Sequence, residues 1–104
     1  MKIVWTDPAV EDLRELHAYI ARDSEMYASG FVERIILAAE RLVEHPKVGR
    51  VVPETNYENI RELLYQRYRI IYRVSVTNDL IEILAVIHGA RDLGDLKPAP
   101  WEVG

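Results

Sequence analysis

The 104 residues include 49% hydrophobic and 29% charged side chains, a balance that predicts one folded domain over residues 1–104 and excludes a disordered or two-domain chain. The absence of cysteine excludes a disulfide scaffold, a thiolate metal site and a cysteine nucleophile. A formal charge of −4 argues against a general polyanion binder, and no apolar run reaches the roughly 18 residues of a membrane span, so a soluble, cytoplasmic protein without membrane partners is expected.

Lys2 to Trp5 reads as a short strand. Asp7 followed by Pro8 predicts a helix start, the carboxylate capping and the proline losing nothing at a position whose N–H has no partner. Val10, Leu13, Leu16 (or His17) and Ile20 then recur every three to four residues, which carries the helix to about Arg22. Ser24 is expected to cap a second helix in which Phe31, Ile35, Ala38 and Leu42 form a stripe beside Val32, Ile36, Ala39 and Val43, with Pro46 ending it.

After Arg50 the period changes from 3.6 to 2. Residues 59–65, 68–76 and 80–88 read as strands, joined through Gln66-Arg67 and Thr77-Asn78-Asp79 by connections short enough for antiparallel hairpins. The expected fold class is α+β: an N-terminal strand and a helical hairpin packed on a small antiparallel sheet of about four strands. On the middle strand Tyr68, Ile70, Tyr72, Val74 and Val76 share one face, and Arg69, Ile71, Arg73 and Ser75 the other. Strict alternation on the last strand puts Ile81, Ile83, Ala85 and Ile87 toward the core and Glu82, Leu84, Val86 and His88 opposite.

One helical hairpin covers one face of a sheet. The other face is therefore expected to carry an apolar strip of Ile71, Leu84 and Val86, flanked by Arg69 and Arg73, as a groove for a partner. The alternative cover is the tail, residues 94–104, folding back with Leu96 and Trp101. Residues 60–91 hold five arginines against Glu62, Asp79 and Glu82, so positive charge gathers on these strands. The alternative role of the arginines is cross-strand pairing with Glu62 and Glu82. His17, His45 and His88 lie on separate elements without metal-ligand spacing, and no glycine-rich phosphate loop occurs, so neither metal nor cofactor is expected. Of the three histidines, His88 is the candidate for a functional role.

Five short segments now follow one another: Asp12-Leu13 with Tyr19-Ile20, His45-Pro46 through Gly49-Arg50, Ile60-Arg61-Glu62-Leu63, Tyr68 to Val74, and Val86 to Leu93. Together they resemble the RelE/ParE superfamily of type II toxin–antitoxin toxins, more closely its ParE branch, over about residues 1–93. The resemblance implies a toxin of a plasmid-stabilisation type of system, held inactive by a cognate antitoxin, with a homodimer or a toxin–antitoxin hetero-oligomer as assembly. ParE-like members poison DNA gyrase; RelE-like members cleave mRNA on the ribosome.

Metal-independent RNA cleavage needs a base, cations for the phosphorane and a proton donor. The two lysines that RelE-like toxins place on the first strand of the meander fall here on Ile60 and Glu62, and the late catalytic tyrosine has no counterpart after Arg91. A ribonuclease would have to work with Arg69, His88 and Arg91. The gyrase reading needs no catalytic set, and direct sequence-specific nucleic-acid binding is not expected of it. The expected antitoxin contacts are Arg69, Ile71, Arg73, Leu84, Val86 and Arg91. A third reading is a degenerate member that binds an antitoxin and poisons nothing.

Overall fold

In the computed structural model of the chain, residues 1–103 are described; Gly104, at the end of the expected tail, lies outside the described residues. The chain order is β1 (Lys2–Trp5), α1 (Asp7–Ala21), α2 (Glu25–Glu40), β2 (Arg50–Val51), β3 (Ile60–Tyr65), β4 (Tyr68–Ser75), β5 (Leu80–His88) and α3 (Pro100–Val103), with 3-10 turns at Arg41–Val43 and Leu93–Asp95. Among the described residues no helix is long and apolar enough to cross a membrane.

The cap of α1 is Thr6, not Asp7. Its Oγ1 accepts from Ala9 N at 3.4 Å, while its own N–H and hydroxyl both donate to Ile83 O, at 3.1 and 2.7 Å. A residue that must continue the β1 pairing and start a helix benefits from a side chain that both donates and accepts; Asp7 instead puts its carboxylate in the first turn, beside the helix dipole. Ser24 caps α2 as expected, its Oγ accepting from Tyr27 N at 3.1 Å.

The sheet has five strands in the order β1-β5-β4-β3-β2, β1 running parallel to β5 and the rest antiparallel. The fifth strand, β2, was not expected, because two residues carry no period. Gln66 and Asp79 turn the two hairpins with φ of 52° each.

The main departure from strict alternation is at Leu84. Tyr72 pairs with Ile83 and Ile71 with Ala85, so Leu84 is an extra residue in β5, a bulge that reverses the inward–outward phase of everything after it. Ile81, Ile83 and Val86 consequently pack under the helices with Leu13, Leu16, Phe31, Ile35, Ile70, Tyr72 and Val74. Leu84, Ala85 and Ile87 join Ile71, Ile60, Val52 and Leu93 in a second core on the opposite face. The expected placement of Ala85 and Ile87 toward the helices, and of Val86 away from them, is thus reversed.

That second face is also not an open groove. Leu96 and Trp101 of the C-terminal segment pack against it, and Ile71 and Leu84 are 0% and 2% exposed. Aliphatic side chains so fully buried each contribute about 1.5–3 kcal/mol relative to exposure, which accounts for a segment with little regular structure lying along the sheet. Polar contacts hold it there: Arg73 Nη2 donates to Trp101 O, and Glu54 accepts from Leu93 N at 3.2 Å.

Candidate functional site

Where the β3–β4 turn meets the end of β5, a cleft of about 460 Å³ opens beside Arg50, Glu54, Arg67, Arg69, His88 and Gly89. The side chains around it form a charge network. Arg69, on β4, and Glu62, on β3, project from the same face because Glu62 pairs with Ile71 and Arg69 with Leu64, two residues further along the ladder. Arg69 Nε donates to Glu62 Oε1 at 2.8 Å, and its Nη2 reaches both Glu62 and Glu54. Nη1 donates to Glu54 Oε2 at 3.0 Å and, at 3.5 Å, to the Arg91 carbonyl. The second oxygen of Glu62 accepts from Arg50 Nε at 2.7 Å.

Two carboxylates and two guanidiniums therefore neutralise one another within the site. The bidentate hydrogen bonds of Arg69 hold the Glu54 carboxyl down to about 2, and the same bonds raise the guanidinium of Arg69 above its usual range. This is the cross-strand role weighed for Arg69. Arg73 shows it too, facing Glu82 across the β4–β5 ladder at 3.3 Å.

His88 borders the cleft with its ring edge on Tyr68, centroids 5.5 Å apart. Its Nδ1 accepts from Ala90 N at 3.1 Å, so the neutral ring carries its proton on Nε2. Arg91 is exposed and its charge acts on Asp12 of α1. Asp12 Oδ2 accepts from Val86 N at 3.0 Å, at the part of β5 that β1, ending at Trp5, does not reach; burial raises the Asp12 carboxyl above its ordinary value.

Of the residues expected to face a partner, Arg69, Ile71, Leu84 and Val86 are all buried in this state, at 5%, 0%, 2% and 6% exposure, leaving Arg73 partly accessible and Arg91 exposed. The bulge moves Val86 beneath the helices and the tail covers Ile71 and Leu84. Among the residues that build the cleft, Glu54 was missed altogether: it sits in the loop between β2 and β3, where no periodicity points to a partner. Arg50 entered only as the point where the period changes and as the end of a segment resembling the family.

The model of the family described as "ParE toxin of type II toxin-antitoxin system, parDE" matches residues 3–93. The chain is 33% identical over 90 residues to "Toxin RelE2" of Caulobacter vibrioides, covering 86% of this chain and 97% of that protein. It is 34% identical over 87 residues to "Putative toxin Y4kP" of Sinorhizobium fredii, covering 84% and 86%. In fold it is similar to a chain of the chromosomal ParDE toxin–antitoxin system from P. aeruginosa, with a TM-score of 0.70, 22% identity and coverage of 85% of this chain and 95% of that one. The RelBE2 toxin–antitoxin complex of Mycobacterium tuberculosis contains a chain similar at a TM-score of 0.58, with 23% identity and coverage of 84% and 95%. The chain belongs to the ParE toxin family of type II toxin–antitoxin systems.

Proposed function

We propose that this toxin arrests growth by trapping DNA gyrase and is neutralised by a cognate antitoxin. The observation that carries the choice over mRNA cleavage is the engagement of Arg69. A guanidinium whose Nε, Nη1 and Nη2 hydrogens are all taken by Glu54, Glu62 and the Arg91 carbonyl has no donor left for a phosphorane, and the balanced charges around it offer RNA no net attraction. The Nδ1 lone pair of His88, the remaining candidate base, is already taken by Ala90 N. A net charge of −4 opposes the phosphate neutralisation that a ribosome-directed nuclease relies on. A gyrase poison works through a protein surface and needs none of these groups. For the antitoxin, Arg91 is the exposed member of the expected contact set, suited to bidentate pairing with carboxylates, while Arg73 is partly accessible and already bonded to Glu82 and the Trp101 carbonyl.

The test is a supercoiling assay with purified gyrase, relaxed plasmid and ATP. Loss of supercoiling with accumulation of cleaved DNA, reversed by antitoxin, is the expected result. Unimpaired supercoiling by the folded protein would overturn the gyrase reading and direct the next assay to cleavage of ribosome-bound mRNA. No growth arrest on induction would instead identify a degenerate member.

A further inference from the structure

Four of the six tyrosines and the single phenylalanine gather at one end of the molecule, where the α1–α2 turn meets the β3–β4 hairpin. Phe31 lies at their centre, its ring centroid 6.1 Å from Tyr27 and 5.7 Å from both Tyr65 and Tyr68. Burial pushes the Tyr68 hydroxyl up, and Tyr19 is close enough to add to that effect. Tyr19 and Tyr27 are 67% and 52% exposed, and Met26 beside them 86%, so the outer half of the cluster contributes little to the core. Guanidiniums lie against its rings. The Arg34 guanidinium lies 5.8 Å from the Tyr27 ring centroid and its Nε donates to Tyr65 Oη at 3.2 Å, while Arg22 sits 6.0 Å from the centroid of Tyr19.

Exposed tyrosines with arginine and methionine among them have the composition of a protein-contacting hot spot, and the two-torsion tyrosine side chain loses little freedom on binding. The charge also differs from the rest of the chain: Arg22, Arg34 and the exposed Arg67 of the β3–β4 turn stand against Asp23 and a Glu25 that is 3.4 Å from His17. A locally basic end on a protein of net −4 suits an acidic protein surface. It suits nucleic acid less, because the net charge repels a phosphate backbone beyond the immediate contact.

We infer that this aromatic end, through Tyr19, Tyr27, Arg22 and Arg34, is the surface the toxin applies to an acidic, apolar-centred patch on its target protein. The inference rests on the reading that the target is a protein, gyrase, and adds where on the toxin the contact is made. The contact lies on the helix side of the sheet, away from the tail-covered face.

Two variants test it, a Tyr19→Ala/Tyr27→Ala pair and the single Arg22→Glu, each checked for wild-type thermal unfolding. Where wild-type toxin inhibits supercoiling, the variants are expected to need about tenfold or more protein for the same inhibition, the effect of removing one hot-spot anchor. Equal inhibition by folded variants would overturn the surface assignment and leave the gyrase reading standing. Wild-type toxin that spares gyrase but arrests growth would overturn the gyrase reading alone; the variants' growth arrest then decides the surface, lost arrest supporting it and retained arrest overturning it. Binding of a single-stranded DNA oligonucleotide by wild type, lost in the variants, would replace the protein occupant with nucleic acid and overturn the inference. A wild-type chain that neither inhibits gyrase nor arrests growth would overturn both.

Discussion

Arg69 and Glu62 meet as a pair almost wholly withdrawn from water: Nε donates to Oε1 at 2.8 Å, with 5% and 1% of the two residues exposed. The charges survive burial because each has further partners, Glu54 for the arginine and Arg50 for the glutamate. Removing Glu62 leaves two buried Arg69 N–H groups without their acceptor and a gap in the core. Glu62→Ala is expected to cost about 3–5 kcal/mol. A Glu62→Leu/Arg69→Met double variant should lose less than the two singles added together, a coupling that a double-mutant cycle in urea reads directly.

Glu54 supplies a pH dependence with a defined sign. Its carboxyl is held down to about 2 in the folded state, chiefly by its hydrogen bonds to Arg69, against an ordinary 4.5. A lowered folded-state value means that the stabilisation is complete above the unfolded value and fades as pH falls from about 5 toward 2. The stability difference between wild type and Glu54→Gln is therefore expected to be largest near neutrality and to shrink across that window. A difference independent of pH would place the effect in packing instead.

Tyr72 ties the sheet to the loop that precedes β2. Its hydroxyl donates to Pro46 O at 2.9 Å and accepts from Gly49 N at 3.1 Å. Tyr72→Phe leaves two backbone groups without partners, and a loss of about 1–3 kcal/mol is expected in chemical denaturation. Gly49→Ala should also destabilise, since a Cβ there would lie 2.6 Å from the Tyr72 hydroxyl and closer still to the Glu62 carbonyl oxygen. Backbone atoms cannot yield as a flexible side chain would, so overpacking of about 1–3 kcal/mol is expected.

The tail-covered core gives a fourth expectation. Leu84→Ala should lose about 2–5 kcal/mol, as for a buried leucine in any core, and Leu84→Asp or Val86→Asp should unfold the protein rather than selectively block a partner. Truncation after Gly94 removes Leu96 and Trp101 from the second core. The shortened chain is expected to melt earlier and to bind a hydrophobic dye, as Ile71, Leu84, Ala85 and Ile87 become exposed. Unchanged melting and no dye binding would mean that the tail contributes nothing to this face.

What the sequence by itself determined is what depends on neighbours within a few positions: the α2 stripe of Phe31, Ile35, Ala38 and Leu42, the Ser24 cap, the two hairpins, the α+β class and the segments that resemble the family. The face occupied by each β5 residue past Leu84 was decided only by tertiary structure, because one unpaired residue, Leu84, reverses the phase, and whether a residue pairs depends on the strand opposite it. The same holds at the cleft. Glu62 and Arg69 share a face by alternation, but the neutrality of the site depends on Glu54, brought in by a loop of no period and bonded to Arg69 and to Leu93 N. Periodicity reports which side of an element seeks apolar contact; it carries no information about which distant segment supplies that contact or cancels a buried charge, since those pairings are made across the chain rather than along it.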